Sequence, residues 1–305
     1  MKKNIWAKME SSGLPKGMQK KAYIFCALMC IPAIYGIIKW VITNGYSVLL
    51  AFSLDTPFQS EWTLLHFERF FIDMKTDGTL AIALANTMKY YGMSLFKTFI
   101  SFVIAYFLYK QIPAYRMFRF LYFLPCVIAP IISVAIFKNM IRELGPVWTL
   151  MNDWFGISYQ EPLAYPETAT NAILLYQLLS GFGSTYLIYI GAMNRIPTEV
   201  LESASLDGCS LMREFWQIIF PLTWGTFSTF VLLSATTIFS ASGPILYFTE
   251  GAAKTTTLGY WLFAQVRGGT YNYPSAVGVI FTLLTIPIVI VVRTVSKKIN
   301  AEVTY

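Results

Sequence analysis

The sequence predicts an all-α polytopic membrane protein, and three observations carry that prediction. Hydrophobic residues make up 56% of the 305 positions and charged residues only 13%, where soluble domains carry roughly a quarter charged. The apolar residues gather into runs that approach the about 20 residues a helical crossing needs. Those runs are continuous, not alternating, which excludes the dyad pattern of a membrane β-barrel.

Six spans are expected. The first runs from Ala22 to Ile42. Basic residues precede it, but no small-residue cleavage site follows, so it reads as a span and not as a secretory signal. Residues 1–21 ahead of it form a basic segment suited to the inner membrane face, with Trp6 as an interfacial anchor. The second span is Thr87 to Tyr109, with Lys97 mid-run. The third is Phe118 to Phe137, where Pro125 and Pro130 predict a bend. Asn171 to Met193, Thr226 to Tyr247 and Ser275 to Val292 complete the set. Pro32, Pro244 and Pro287 also fall inside or at the ends of spans. Membrane helices tolerate this when neighbouring groups satisfy the freed carbonyls. The organisation is therefore an N-terminal segment (1–21), a transmembrane domain (22–298) and a short tail (299–305). The segments Asn44–Asn86 and Lys138–Thr170 carry Trp62, Trp148 and Trp154 and are expected as an external cap.

Lys and Arg set the orientation. Lys2, Lys3, Lys8, Lys16, Lys20, Lys21, Lys110, Arg116, Arg119, Arg195, Arg213, Arg293, Lys297 and Lys298 share one side. They outnumber Lys39, Arg69, Lys75, Lys89, Lys138, Arg142, Lys254 and Arg267 on the other. The positive-inside rule then places both termini, and the loop between spans 4 and 5, in the cytoplasm.

Composition also excludes functions. The formal net charge of +7 lies in membrane-flanking positions and not in a nucleic-acid stripe. Cys26, Cys30, Cys126 and Cys209 have neither a disulfide framework nor metal-ligand spacing. The single His66 is expected in an external loop, solvated or interfacial. With no clustered carboxylates in the spans, no catalytic residues are assigned and an enzyme is not expected.

Residues 195–221 are polar sequence with helical pattern between two apolar runs. Pro197 suits a helix's first turn, and Thr198 is an alternative N-cap. Glu199 and Glu202 complement the positive end of the helix dipole. Val200, Leu201 and Ala204 make one apolar face, and Ser203, Ala204 and Ser205 are small enough for close approach. Asp207-Gly208 reverses the chain. Beyond it, Leu211, Phe215 and Ile218 or Ile219 recur on one face. Met212 and Trp216 widen that face, and Arg213, Glu214 and Gln217 lie away from it. Pro221 ends the pattern. Periodicity alone fits either a helix lying on the bilayer or a docking element.

Pro197, Glu199, Glu202, Ala204, Asp207, Gly208, Phe215, Ile218 and Pro221 together resemble the EAA loop of ABC import permeases. Ser203 and Cys209 stand where that family usually has Ala, and both are small. Asn86-Thr87, the run Arg119 to Pro125 and Tyr273-Pro274-Ser275-Ala276 resemble further elements of the family in the same order, over most of residues 20–298. The form of the motif fits the carbohydrate-uptake branch of the bacterial inner membrane.

The resemblance implies a permease subunit of an ATP-driven, binding-protein-dependent importer, taking up a sugar or oligosaccharide. It implies a second homologous permease, two cytoplasmic ATPase subunits that use ATP and Mg, and an extracytoplasmic solute-binding protein. Glu199, Glu202, Ser203, Ala204, Asp207 and Gly208 would then couple to the ATPase. The chain has no Gly-x-x-x-x-Gly-Lys-[Ser/Thr] loop, so the nucleotide site belongs to another polypeptide. Substrate contacts are expected on spans 4 and 5, from Gln177, Gly183, Tyr186, Thr237, Phe239, Ser240 and Ser242. The same small and hydroxylated residues also suit plain helix contacts. Lys97 reads either as polar lining or as a locally paired charge. A stand-alone secondary transporter and an ABC permease for a non-sugar solute stay open as alternatives.

Overall fold

The computed structural model describes residues 16–54, 61–76, 78–156, 160–180, 182–183, 185–240 and 242–301. Among them every regular element is helical, apart from one antiparallel bridge between Ser53 and Trp62. Residues 1–15, with Trp6 and most of the expected basic segment, lie outside the described residues, as do residues 302–305 of the tail.

The chain divides into two units, residues 1–63 and 64–305. The first contributes α1 (Lys16–Ala51), which carries the expected first span and continues past Ile42. The second unit begins with α2 (Leu65–Thr76), α3 (Gly78–Tyr109), α4 (Tyr115–Val127) and α5 (Pro130–Ile141). After α6 (Pro146–Thr149) and its π turn at Leu150–Trp154 come α7 (Pro166–Leu179), α8 (Thr185–Met193) and α9 (Thr198–Leu206). Then follow α10 (Leu211–Leu222), α11 (Trp224–Thr236), α12 (Ile245–Phe248), α13 (Leu258–Arg267) and α14 (Asn272–Ala301).

Ile24–Ala51, Gly78–Tyr109 and Asn272–Ile299 are long and apolar enough to cross a membrane. Two bent pairs raise the count among the described residues to five. One of them bends where sequence predicts it. Tyr115–Val127 and Pro130–Trp154 meet at 107°. Pro130 is the first helical residue of α5 and holds Ala129 extended, at ψ 134°.

Two expected spans are not continuous helices. Asn171–Met193 is split into α7 and α8, which end at Leu179 and resume at Thr185. The intervening Ser-Gly-Phe-Gly-Ser pairs two poor helix formers with two residues that compete for backbone hydrogen bonds. Thr226–Tyr247 stays helical only to Thr236. The chain then turns through Gly243, at φ +54°, before the short α12. A Cβ at Gly243 would sit 2.6 Å from the Tyr90 ring. His66 is likewise not a loop residue: it is buried on α2, its ring 6.5 Å from that of Tyr273.

The core of the second unit is built around α3, which packs on α7, α8, α11 and α13. Near its C-terminal end Phe102 is fully buried among Tyr189, Phe215, Phe220 and Phe227, with ring centroids 5.1–5.6 Å away. Edge-to-face pairs of this kind add about 0.5–1.5 kcal/mol each beyond area burial. Near the other end, Asn86 donates to the carbonyls of Lys254 (2.7 Å) and Thr256 (2.9 Å). Thr87 Oγ1 accepts from Leu258 N at 2.9 Å. These bonds hold a loop in which Glu250, Ala253 and Lys254 all take positive φ, a conformation that L-residues keep only when the surroundings impose it.

Candidate functional site

α9 begins at Thr198, with Pro197 in the capping position and not in the first turn. It ends in a Schellman motif. Gly208 N donates to Ser205 O at 3.1 Å and Cys209 N to Ala204 O at 3.0 Å. The motif needs a left-handed residue after the cap, and Gly208 supplies it at φ +72°. Glu199, Glu202, Ser203, Asp207 and Gly208 are exposed, while Ala204 turns inward. Ser203 donates back to the Glu199 carbonyl at 2.7 Å. The expected coupling residues therefore share one short helix and its turn, with two carboxylates on its outer surface.

Leu206 was not singled out by sequence, yet it is 89% exposed, directly before the turn. An apolar residue next to Asp-Gly is the signal that identifies it.

α10 anchors this tip to the core. Phe215 and Ile219 are buried. Glu214, expected on the solvent face, is buried too, and pairs with Lys110 Nζ at 2.6 Å. Leu211, Met212 and Trp216, expected on the same apolar face as Phe215, are exposed. A π turn over Phe215–Ile219 shifts the register of the helix. The cation at the end of α3 also makes burial of the carboxylate tolerable. Tyr106 adds a bond from its hydroxyl to the Leu211 carbonyl at 2.9 Å. α10 is thus tied to the C-terminal end of α3 through packed aromatics, a hydrogen bond and an ion pair.

Over residues 97–305 the chain matches the family described as binding-protein-dependent transport system inner membrane component. The chain belongs to that family. It is a permease subunit, a transport component of the inner membrane. It is 27% identical over 278 residues to a probable ABC transporter permease protein, YesP, of Bacillus subtilis (strain 168), covering 86% of this chain and 87% of that protein. It is also 27% identical over 202 residues to the maltodextrin transport system permease protein MdxF of the same strain, covering 61% of this chain and 46% of that one. A solved structure of a bacterial ABC transporter involved in the import of the acidic polysaccharide alginate superposes with a TM-score of 0.76. That match covers 92% of this chain and 96% of the other at 17% identity, so it establishes a shared fold.

The other singled-out residues of this permease do not meet in one cavity. Lys97 and Thr237 line a cleft of about 380 Å³ between α3, α8 and α11. Phe239 and Ser240 line another of about 400 Å³, walled largely by α14. Gln177 borders a third of about 330 Å³ beside Pro125 and Pro130. Its Oε1 is buried with no hydrogen-bond partner among the described residues. Ser242 is exposed in the turn after α11. Tyr186 is fully buried and donates to the Arg119 carbonyl at 2.9 Å, so in this conformation its hydroxyl joins α8 to α4.

Gly183 has a packing role. A Cβ there would lie 2.5 Å from Cys126 Sγ and 2.9 Å from the Tyr122 carbonyl. Gly183→Ala is expected to destabilise the purified protein by about 1–3 kcal/mol, the usual cost of overpacking, read as a lowered Tm in detergent. Cys126→Ala should relieve only part of the loss, because the backbone carbonyl remains. An unchanged Tm would remove the close approach from the account.

Proposed function

We propose that this permease forms half of the translocation path of an ATP-driven importer for a sugar or oligosaccharide, and that residues 195–221 couple it to a cytoplasmic ATPase. In this reading the chain crosses the membrane six times with both termini inside. α7 and α8 serve as one broken crossing, and α11 with the turn after it as another. A second homologous permease completes the path, two ATPase subunits bind ATP and Mg, and an external solute-binding protein delivers cargo. Relatives support the cargo class. MdxF is named for maltodextrin transport, and the structural neighbour is crystallised with an alginate pentasaccharide-bound periplasmic protein.

The observation that carries the coupling assignment is the contrast within the loop. α9 presents Glu199, Glu202 and Leu206 outward, while α10 is fastened to the core by Glu214 and Phe215. An amphipathic helix at rest on the bilayer would not place two carboxylates and its most exposed leucine on one outer surface. Glu202→Lys is expected to abolish uptake of labelled saccharide and co-purification of the ATPase, with the chain still inserted. A reversed charge at a docked surface costs several kcal/mol. Retained ATPase binding by Glu202→Lys would sink the assignment.

A further inference from the structure

We infer that the cleft around Lys97 is a binding site for the carboxylate of an acidic saccharide, an inference that rests on the reading of the chain as a saccharide importer. Ser94, Lys97, Thr98 and Ser101 recur at i, i+3, i+4 and i+7 and form one polar stripe on α3. Ser234 of α11 and Thr237, the residue that ends it, line the same cleft. Lys97 lies about 20 Å along the helix from Lys110, at 1.5 Å per residue, which is deep within a hydrocarbon layer about 30 Å thick.

The hydrogen-bonding state of the lining defines the ligand. A hydroxyl has one proton to donate. Thr98 gives its proton to the Ser94 carbonyl at 2.9 Å, and Ser234 gives its own to Val231 O at 2.9 Å. Thr237 shares its proton between Leu233 O and Ser234 O at 3.3 Å each. Their oxygens therefore remain as acceptors, which suits the hydroxyl donors of a sugar. Ser101 is 1% exposed, and its Oγ has no partner among the described residues. Lys97 supplies three N–H donors and a full charge, and no carboxylate among the described residues pairs with it. An ammonium at this depth needs an anion or water beside it. A ligand with several hydroxyls and one carboxylate satisfies Lys97 and the open acceptors of Thr98, Ser234 and Thr237. A doubly charged phosphate would need more cation than this cleft holds.

The test uses the complete transporter in proteoliposomes, with ATP inside and binding protein outside. The probes are trigalacturonate, its methyl ester, an aldotriouronate and maltotriose. Wild type is expected to take up at least one uronate in preference to the neutral sugars. Lys97→Met is expected to lower that uptake about tenfold or more, the scale of one lost charge-assisted hydrogen bond. Neutral uptake should fall by a smaller factor than uronate uptake, and Lys97→Arg should restore most of the loss. Uptake confined to neutral probes, or unaffected by Lys97→Met, overturns the inference and leaves the importer reading standing. Failure of Lys97→Met to co-purify with the second permease also overturns it, because the charge would then pair with a partner side chain. No ATP-driven uptake of any probe overturns both readings.

Discussion

Gly208→Val is expected to stop ATP-coupled uptake while the chain still inserts and folds. Gly208 holds φ +72°, where a side chain costs about 1–2 kcal/mol and a β-branched one more. A Cβ at this position meets nothing within 4 Å, so the left-handed backbone and not a clash of the Cβ sets the cost. The strain must be relieved locally, by opening the Schellman bonds of Gly208 and Cys209. That swings Leu206 and Asp207 away from their present geometry, at the tip proposed to dock. A loss of 2 kcal/mol or more in docking is about 30-fold in affinity. Asparagine tolerates the left-handed region and alanine does so less well. Uptake should therefore fall in the order Gly, Asn, Ala, Val, with equal amounts of protein in the membrane. Saccharide uptake and ATPase co-purification, normalised to membrane-inserted chain, measure both halves. Normal ATP-coupled uptake by Gly208→Val would show that the turn has no part in coupling.

This turn was legible in the sequence because its chemistry is local. Asp-Gly after a helical pattern calls for a left-handed residue, and the structure has one. The bend at Pro130 was legible for the same reason, since a proline constrains the residue before it. Continuous apolar runs likewise identified α1, α3 and α14. Averaged hydrophobicity did not show where the helix breaks inside an apolar run. Ser180 to Ser184 and Thr236 to Ser240 are apolar enough to read as span, but their glycine and hydroxyl content lets the helix end.

The site residues divide along the same line. Glu199, Glu202 and Ala204 were placed by helical spacing, and the structure puts the two carboxylates outward and Ala204 inward. Tyr186 and Gly183 were expected as lining because the family resemblance places substrate contacts on spans 4 and 5. Their contacts, with Arg119 O and beside Cys126, lie on α4, more than fifty residues away. No single-chain periodicity carries that information. Lys97 was visible as an anomaly, but its meaning depends on which hydroxyls line the cleft with it.

The burial of Glu214 was hidden most completely, and it leads to the second large effect. Lys110→Met is expected to destabilise the permease by about 3 kcal/mol and to uncouple it. The pair is 2.6 Å apart, with Glu214 almost fully buried and Lys110 about a quarter exposed. Removing one partner of a buried pair typically costs about 3–5 kcal/mol, because the other charge is left without compensation. The lower figure applies here, since residual exposure of Lys110 screens part of the interaction. Lys110→Met/Glu214→Met should regain most of the stability, as apolar replacement of both members is often neutral. Transport separates the two roles of the pair. If it only supports folding, the double variant should transport as well as it folds. If it also transmits motion from α10 to α3, the double variant should be stable yet hydrolyse ATP with reduced uptake per ATP. The Tyr106 bond to Leu211 and the rings of Phe102 and Phe215 would remain, so some coupling should persist. Thermal unfolding and the uptake-to-hydrolysis ratio of the three variants decide between these outcomes. A Lys110→Met protein with wild-type Tm and ratio would rule out both roles.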